Sequence, residues 1–249
     1  MARVLLLPSA IDCDPTEVAI PWSVLSGAGH QVSIATSTGA PPTADPRMLS
    51  GRGLSILSPV LRARADARTT WDALRASPAY RETARAAEVN LSRFEALLLP
   101  GGHAPGMRTY LECLDVQRLA VRAFDDRKMV IGAICHGVVV LARARTDDGK
   151  SVLHGHRTTS LTRAQEMLAW KLTRAWLGDY YRTYPTTVED EVTAALESPD
   201  HFEAGPNAIL RDDPEHLDRG FIVEDGRYVS ARWPGDAYAF SAAIARRLP

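Results

Sequence analysis

Met129-Val130-Ile131-Gly132-Ala133-Ile134-Cys135-His136-Gly137 is an apolar, β-prone run that stops on a cysteine, a histidine and a glycine. A short run that is apolar at every position is how a strand buried on both faces of a sheet reads. From Gly137 to Ala144 the pattern turns helical, and the glycine leaves room for a tight backbone where that helix starts. Strand, sharp turn and helix bring Cys135 to the rim of a sheet, on the elbow that exposes a nucleophile in serine hydrolases. The positive end of the helix dipole is expected to favour a thiolate there.

The same alternation recurs outward from this stretch. Val4 to Leu7 is a short apolar run, Thr16 to Ala28 an amphipathic helix, and Gln31 to Ala35 a β-branched strand. Ala96 to Leu99 reads as a buried strand stopping at Pro100-Gly101-Gly102, and Val116 to Asp125 as a helix. After Gly220 to Glu224 come the turn Asp225-Gly226, a strand from Tyr228 to Arg232 and a closing helix from Ala237 to Leu248. Strands alternating with helices predict an α/β fold with a parallel sheet, whose site forms beyond the carboxyl ends of the strands. Two regions fall outside the repeat. Pro41 to Asn90 is polar, Arg-rich and interrupted by prolines, and Leu161 to Leu196 carries Trp170, Trp176, Tyr180, Tyr181 and Tyr184 on mostly helical spacing, broken at Gly178 and Pro185. The second reads as a helical insertion over the sheet or against another subunit.

With 249 residues, 45% of them hydrophobic, the chain can build one large core. Its 29 Lys+Arg balance 30 Asp+Glu with no dense basic run, which argues against nucleic acid as a partner. The first apolar run ends at Pro8, too short for a signal-peptide core or a membrane span, so no membrane partner and a cytoplasmic location are expected. Cys13, Cys113 and Cys135 contain no CxxC pair, which suits neither a disulfide framework nor a structural zinc site. Cys13 and Cys113 lack the strand-end position and the adjacent histidine, and read as small buried residues. His154 and His156 have no further ligand at a recognisable spacing, so no metal is expected.

Glu17 opens the first helix, where a charge favouring the dipole is one role; beside the cysteine strand it would instead hydrogen-bond the thiol or act as a general acid or base. Gly101 and Gly102 free backbone N–H groups at a strand end, and with the N–H of His136 these can form an oxyanion hole.

These residues resemble the ThiJ/PfpI superfamily, which includes the parkinsonism-associated deglycase, the PfpI proteases and the glutathione-independent glyoxalases. Glu17-Val18-Ala19-Ile20-Pro21, Leu98-Leu99-Pro100-Gly101-Gly102-His103, Ala133-Ile134-Cys135-His136-Gly137 and the late Tyr228 to Gly235 carry the resemblance. It implies one domain over 1–249, a flavodoxin-like three-layer α/β/α sandwich with a mostly parallel sheet and a helical cap at about 161–215, assembled as a homodimer. It further implies Cys135 as nucleophile with Glu17 bonded to it. Gly101, Gly102, His103 and Gly137 would line the oxyanion and substrate site. In the glyoxalase and chaperone branch a triad is completed by His136 and a carboxylate roughly thirty residues further on, for which Glu166 is the best local match and Glu189, Asp190 and Glu203 are substitutes.

The function this implies is conversion of a small 2-oxoaldehyde to a hydroxy acid, with no cofactor. Thioester-type amide hydrolysis is the alternative, but the related glutamine amidotransferases place a histidine where this chain has Arg232-Trp233-Pro234, and His201-Phe202-Glu203 imitates that spacing only in a loop. A holdase chaperone or redox sensor using an oxidisable Cys135 is the non-enzymatic alternative.

Overall fold

In the computed structural model, which describes residues 1–207 and 210–249, one sheet runs through the protein. It is built from β1 (Arg3–Leu6), β2 (Gln31–Thr36), β3 (Ala84–Arg85), β4 (Ala96–Leu99), β5 (Val130–Ile134), β6 (Ile222–Asp225) and β7 (Tyr228–Ala231), in the order β3-β2-β1-β4-β5-β7-β6. Every pairing is parallel except that of β6 with β7, where Asp225 opposes Tyr228 across a tight turn.

Successive strand residues point to opposite faces, and both faces are covered. Leu5, Leu97, Leu99, Ile131 and Ala133 enter one core, which also holds residues of α3 (Leu114–Asp125), α4 (Gly137–Arg143) and α6 (Val188–Thr193). Val4, Leu6, Leu98, Val130 and Ile134 enter the other, with residues of α1 (Pro15–Gly27), α2 (Ala65–Ala76) and α7 (Ala237–Ala245). The alternating pattern predicted the parallel α/β sheet, and the three layers are those the family resemblance implied. The excursion between β2 and β4 supplies α2 and the edge strand β3. The aromatic region supplies α5 (Arg163–Leu177), started by a capping box at Thr162 and Gln165. The helix stops at Gly178, one of the two breaks expected from the sequence, and Tyr180 to Tyr184 form a loop.

The turn after β7 is held by a buried ion pair. Arg232 Nε and Nη2 donate to the two Asp236 carboxylate oxygens at 2.9 and 3.0 Å, and Phe221 N–H donates to the same carboxylate at 3.0 Å. Arg232 thus has a structural task at the position where the amidotransferase pattern would need a histidine. Removing one member leaves the other charged and buried. Asp236→Ala is therefore expected to lose about 3–5 kcal/mol in urea unfolding; a loss under about 1 kcal/mol would mean that water reaches the Arg232 guanidinium.

Candidate active site

Strand order reverses between β1 and β4, the place where parallel sheets open a crevice at their carboxyl ends. Register aligns those ends: Leu6 pairs with Leu98, Leu99 with Ala133, and Ile134 with Ala231. The turns after β1, β4, β5 and β7 consequently meet.

Cys135 sits on the first residue past β5 with φ 58°, a left-handed backbone that costs a residue with a side chain about 1–2 kcal/mol. Its N–H donates to Ala231 O at 3.0 Å, which ties the turn to the end of β7. Gly137 lies against the end of β4 so closely that a Cβ there would overlap Leu99 O. The turn is thus clamped from both neighbouring strands.

The thiol is buried, with Sγ 3.5 Å from His136 Nδ1. On the far side of the ring, His136 Nε2 lies 3.0 Å from Thr183 Oγ1, and that hydroxyl also donates to His103 O at 2.7 Å. A hydroxyl has one proton. With it given to the His103 carbonyl, Thr183 accepts from Nε2–H, and Nδ1 is left as a lone pair facing the thiol. Burial lowers the His136 pKa to about 3, so the imidazole is neutral and able to accept.

Glu17 is fully buried at the start of α1, whose amino end is capped by Asp14 accepting from Thr16 N–H at 2.8 Å. Gly101 N–H donates to Glu17 Oε2 at 2.7 Å. Burial first, and Asp14 second, push the Glu17 carboxyl well above its ordinary range, which favours its protonated form beside the Cys135 thiol; its Oε1 has no hydrogen-bond partner among the described residues. Cys135 departs from expectation in one respect. The helix terminus was expected to lower the thiol pKa; burial instead raises it well above its ordinary value, and the His136 N–H directed at the sulfur offsets only part of this.

The glycine pair divides its work. Gly101 has committed its N–H to Glu17, so it is not an oxyanion donor; Gly102, with φ 151°, has no acceptor for its N–H among the described residues. The ring of His103 stacks on Tyr181 with centroids 4.4 Å apart, and its Nε2 is 3.8 Å from Asp45 Oδ2. Glu166 faces the same cavity as Cys135, yet its carboxylate accepts from Val188 N–H at 2.9 Å and pairs with Arg182 at 3.3 Å. The orienting contact on His136 therefore comes from Thr183, and the carboxylate expected from Glu166 is engaged elsewhere. Glu189 accepts from Arg163 N–H, the Asp190 carboxylate accepts from the hydroxyl of Thr187, which in turn caps the helix by accepting from Asp190 N–H, and Glu203 pairs with Arg157. Of the His-x-His pair, His156 is held by Asp225 at 2.7 Å. Thr183 escaped the sequence reading because a threonine in an aromatic-rich stretch carries no chemical signature.

A family model described as ThiJ/PfpI family-like matches residues 9–206. The chain belongs to the ThiJ/PfpI family. Among curated relatives of this ThiJ/PfpI protein, a deglycase of Pyrococcus abyssi is 30% identical over 65% of this chain and 66% of its own length. A glutathione-independent glyoxalase of Schizosaccharomyces pombe is 27% identical over 61% of this chain and 59% of its own. The matches thus span less than two thirds of those relatives. Of solved structures, glyoxalase III of Candida albicans superposes with a TM-score of 0.70 at 19% identity, covering 100% of this chain and 98% of that one. REP24 of Francisella tularensis gives 0.74 at 18% identity, with full coverage of both. At these identities the superpositions speak for the fold. No described helix is long and apolar enough to cross a membrane.

The Glu166 carboxyl is raised by burial from 4.5 to about 7, against the opposing pull of Val188 N–H and Arg182. A carboxyl that holds its proton more tightly folded than unfolded weakens the fold as pH climbs through that interval. Glu166→Gln is thus expected to melt close to the parent at pH 5 and to be more stable by on the order of 1–3 kcal/mol at pH 8. Thermal unfolding at both pH values measures this, and a Gln variant weaker at pH 8 would show that Arg182 needs the charge more than burial opposes it.

Proposed function

We propose that this protein is a cysteine-dependent, glyoxalase-like enzyme that converts a 2-oxoaldehyde to the 2-hydroxy acid without a cofactor. The observation that carries the reading is the Cys135 thiol set against the free Nδ1 of a neutral His136 whose other nitrogen is held by Thr183. The buried, protonated Glu17 beside them and the relatives named deglycase and glutathione-independent glyoxalase support it.

In the reaction, the thiol proton passes to His136 Nδ1 as sulfur bonds to the aldehyde carbon, and the new alkoxide takes a proton back to give a hemithioacetal. His136, once it has returned the thiol proton to the alkoxide, or Glu17, if it is Glu17 that gave the alkoxide its proton, removes the hydrogen on that carbon and returns it to the adjacent one through an enediol. The aldehyde carbon is oxidised and its neighbour reduced, with no outside electrons. Gly102 N–H, which has no acceptor among the described residues, is the proposed donor to the developing oxyanion. Water then cleaves the thioester, releasing the hydroxy acid and restoring the thiol. Of the expected cap at about 161–215, the described residues 161–207 and 210–215 act as a cap within one domain, and 208–209 lie outside the described residues.

Incubation with methylglyoxal should yield lactate, and Cys135→Ser should reduce kcat by about a thousandfold or more with the fold intact. No lactate from a folded parent enzyme would overturn the reading. Thr183→Val removes the acceptor for Nε2–H and so releases the tautomer; kcat is expected to fall by about tenfold to a hundredfold, more than KM changes. Because His136 stays neutral down to about 3, the kcat/KM profile should show no break near pH 6.5; a break there would move His136 out of the base role.

A further inference from the structure

The cavity containing Cys135 has a depth that its residues record. At its floor, Glu17, Asp14 and Cys135 are 0%, 3% and 4% exposed. At its mouth, Val60, Leu168 and Leu172 are 64%, 58% and 47% exposed. Polar chemistry thus lies at the bottom and apolar surface at the opening. Met48, Leu61 and Trp233 continue the apolar wall between them.

This mouth is a built wall. Arg211 Nη2 donates to Val60 O at 3.1 Å while its guanidinium lies 5.3 Å from the centre of the Trp233 ring. Trp176, on the same helix as Leu168 and Leu172, donates from Nε1 to Gly53 O at 2.9 Å. Cap helix, the segment around Gly53 to Val60, and the turn after β7 are therefore tied to one another around the opening.

The cavity measures about 200 Å³, far more than one water molecule needs. Methylglyoxal, with a single methyl beside its two carbonyls, would occupy the floor and leave the leucines wet. A substrate whose carbonyl reaches Cys135 must send its substituent up the apolar wall. We infer that the preferred substrates are 2-oxoaldehydes with an aromatic ring or an alkyl chain of several carbons; this rests on the carbonyl chemistry proposed above. Burying such a group against Leu168 and Leu172 removes apolar surface from water on both partners.

The test compares kcat/KM for methylglyoxal, propylglyoxal and phenylglyoxal. Each added methylene is expected to raise kcat/KM about fourfold until the chain passes the mouth. Phenylglyoxal should exceed methylglyoxal by about tenfold or more, and Leu172→Ser should pull that ratio toward one, which separates pocket binding from the intrinsic reactivity of the aldehydes. Turnover of methylglyoxal as fast as the larger aldehydes, or a ratio unmoved by Leu172→Ser, overturns the inference while leaving the reaction standing. If no aldehyde is turned over, calorimetric binding of the unreactive ketones 2-hydroxyacetophenone and hydroxyacetone decides the matter. Tighter binding of the aromatic ketone by about tenfold or more keeps the ligand class and rejects the reaction; equal or absent binding rejects both.

Discussion

The left-handed backbone at Cys135 is the constraint on which the site depends. A residue with a side chain holds φ 58° only where its surroundings leave no alternative. Here Cys135 N–H is bonded to Ala231 O on one side, and Gly137 is pressed against the carbonyl at the end of β4 on the other. The parallel sheet thereby supplies what the turn lacks in local preference. Because β4, β5 and β7 end in register, the strained residue falls where the turns of its neighbours converge, and Gly101 arrives close enough that a Cβ on it would crowd His136 N.

Burial then decides the electrostatics. Glu17, Cys135 and His136 are all removed from water, and each is shifted toward its neutral form: the carboxyl and thiol upward, the imidazole downward. A site composed of neutral groups avoids the cost of unpaired buried charge and still contains a complete proton path. The Glu17 carboxyl and the thiol are each favoured in their protonated forms, and Nδ1 presents a lone pair to the sulfur. The N–H of Gly102, next in sequence to Gly101, has no acceptor among the described residues.

Much of this was legible in the sequence. Continuous apolar runs at Val4, Ala96 and Met129 and the helical stretches between them specify a doubly covered parallel sheet, because only strands buried on both faces tolerate such runs. Cys135, Glu17 and the glycine pair were legible for the same reason, since each stands directly at a strand end or helix start. What stayed hidden depends on tertiary packing. The length of α5 and the loop that follows its glycine stop decide which side chain of the 161–196 region reaches His136, and no local pattern distinguishes Thr183 from its neighbours. The thiol pKa was misjudged because a helix terminus can be recognised from sequence, whereas the depth of burial that outweighs it cannot.

The cap loop joins catalysis to the shape of the cavity. Thr183 is held three ways: its hydroxyl bridges His136 and the His103 carbonyl, and its own carbonyl accepts two N–H groups from Arg108 at 2.8 and 2.6 Å. Its neighbours on either side are engaged as well, Arg182 with Glu166 and Tyr184 with Arg143. Tyr181 stacks on His103 in the cavity wall. A loop this fully bonded sets the tautomer of the imidazole and the wall of the cavity at once, so the two cannot vary independently. At this position a neutral hydroxyl meets Nε2 of a ring that burial itself keeps neutral, so the contact adds no charge to the buried site.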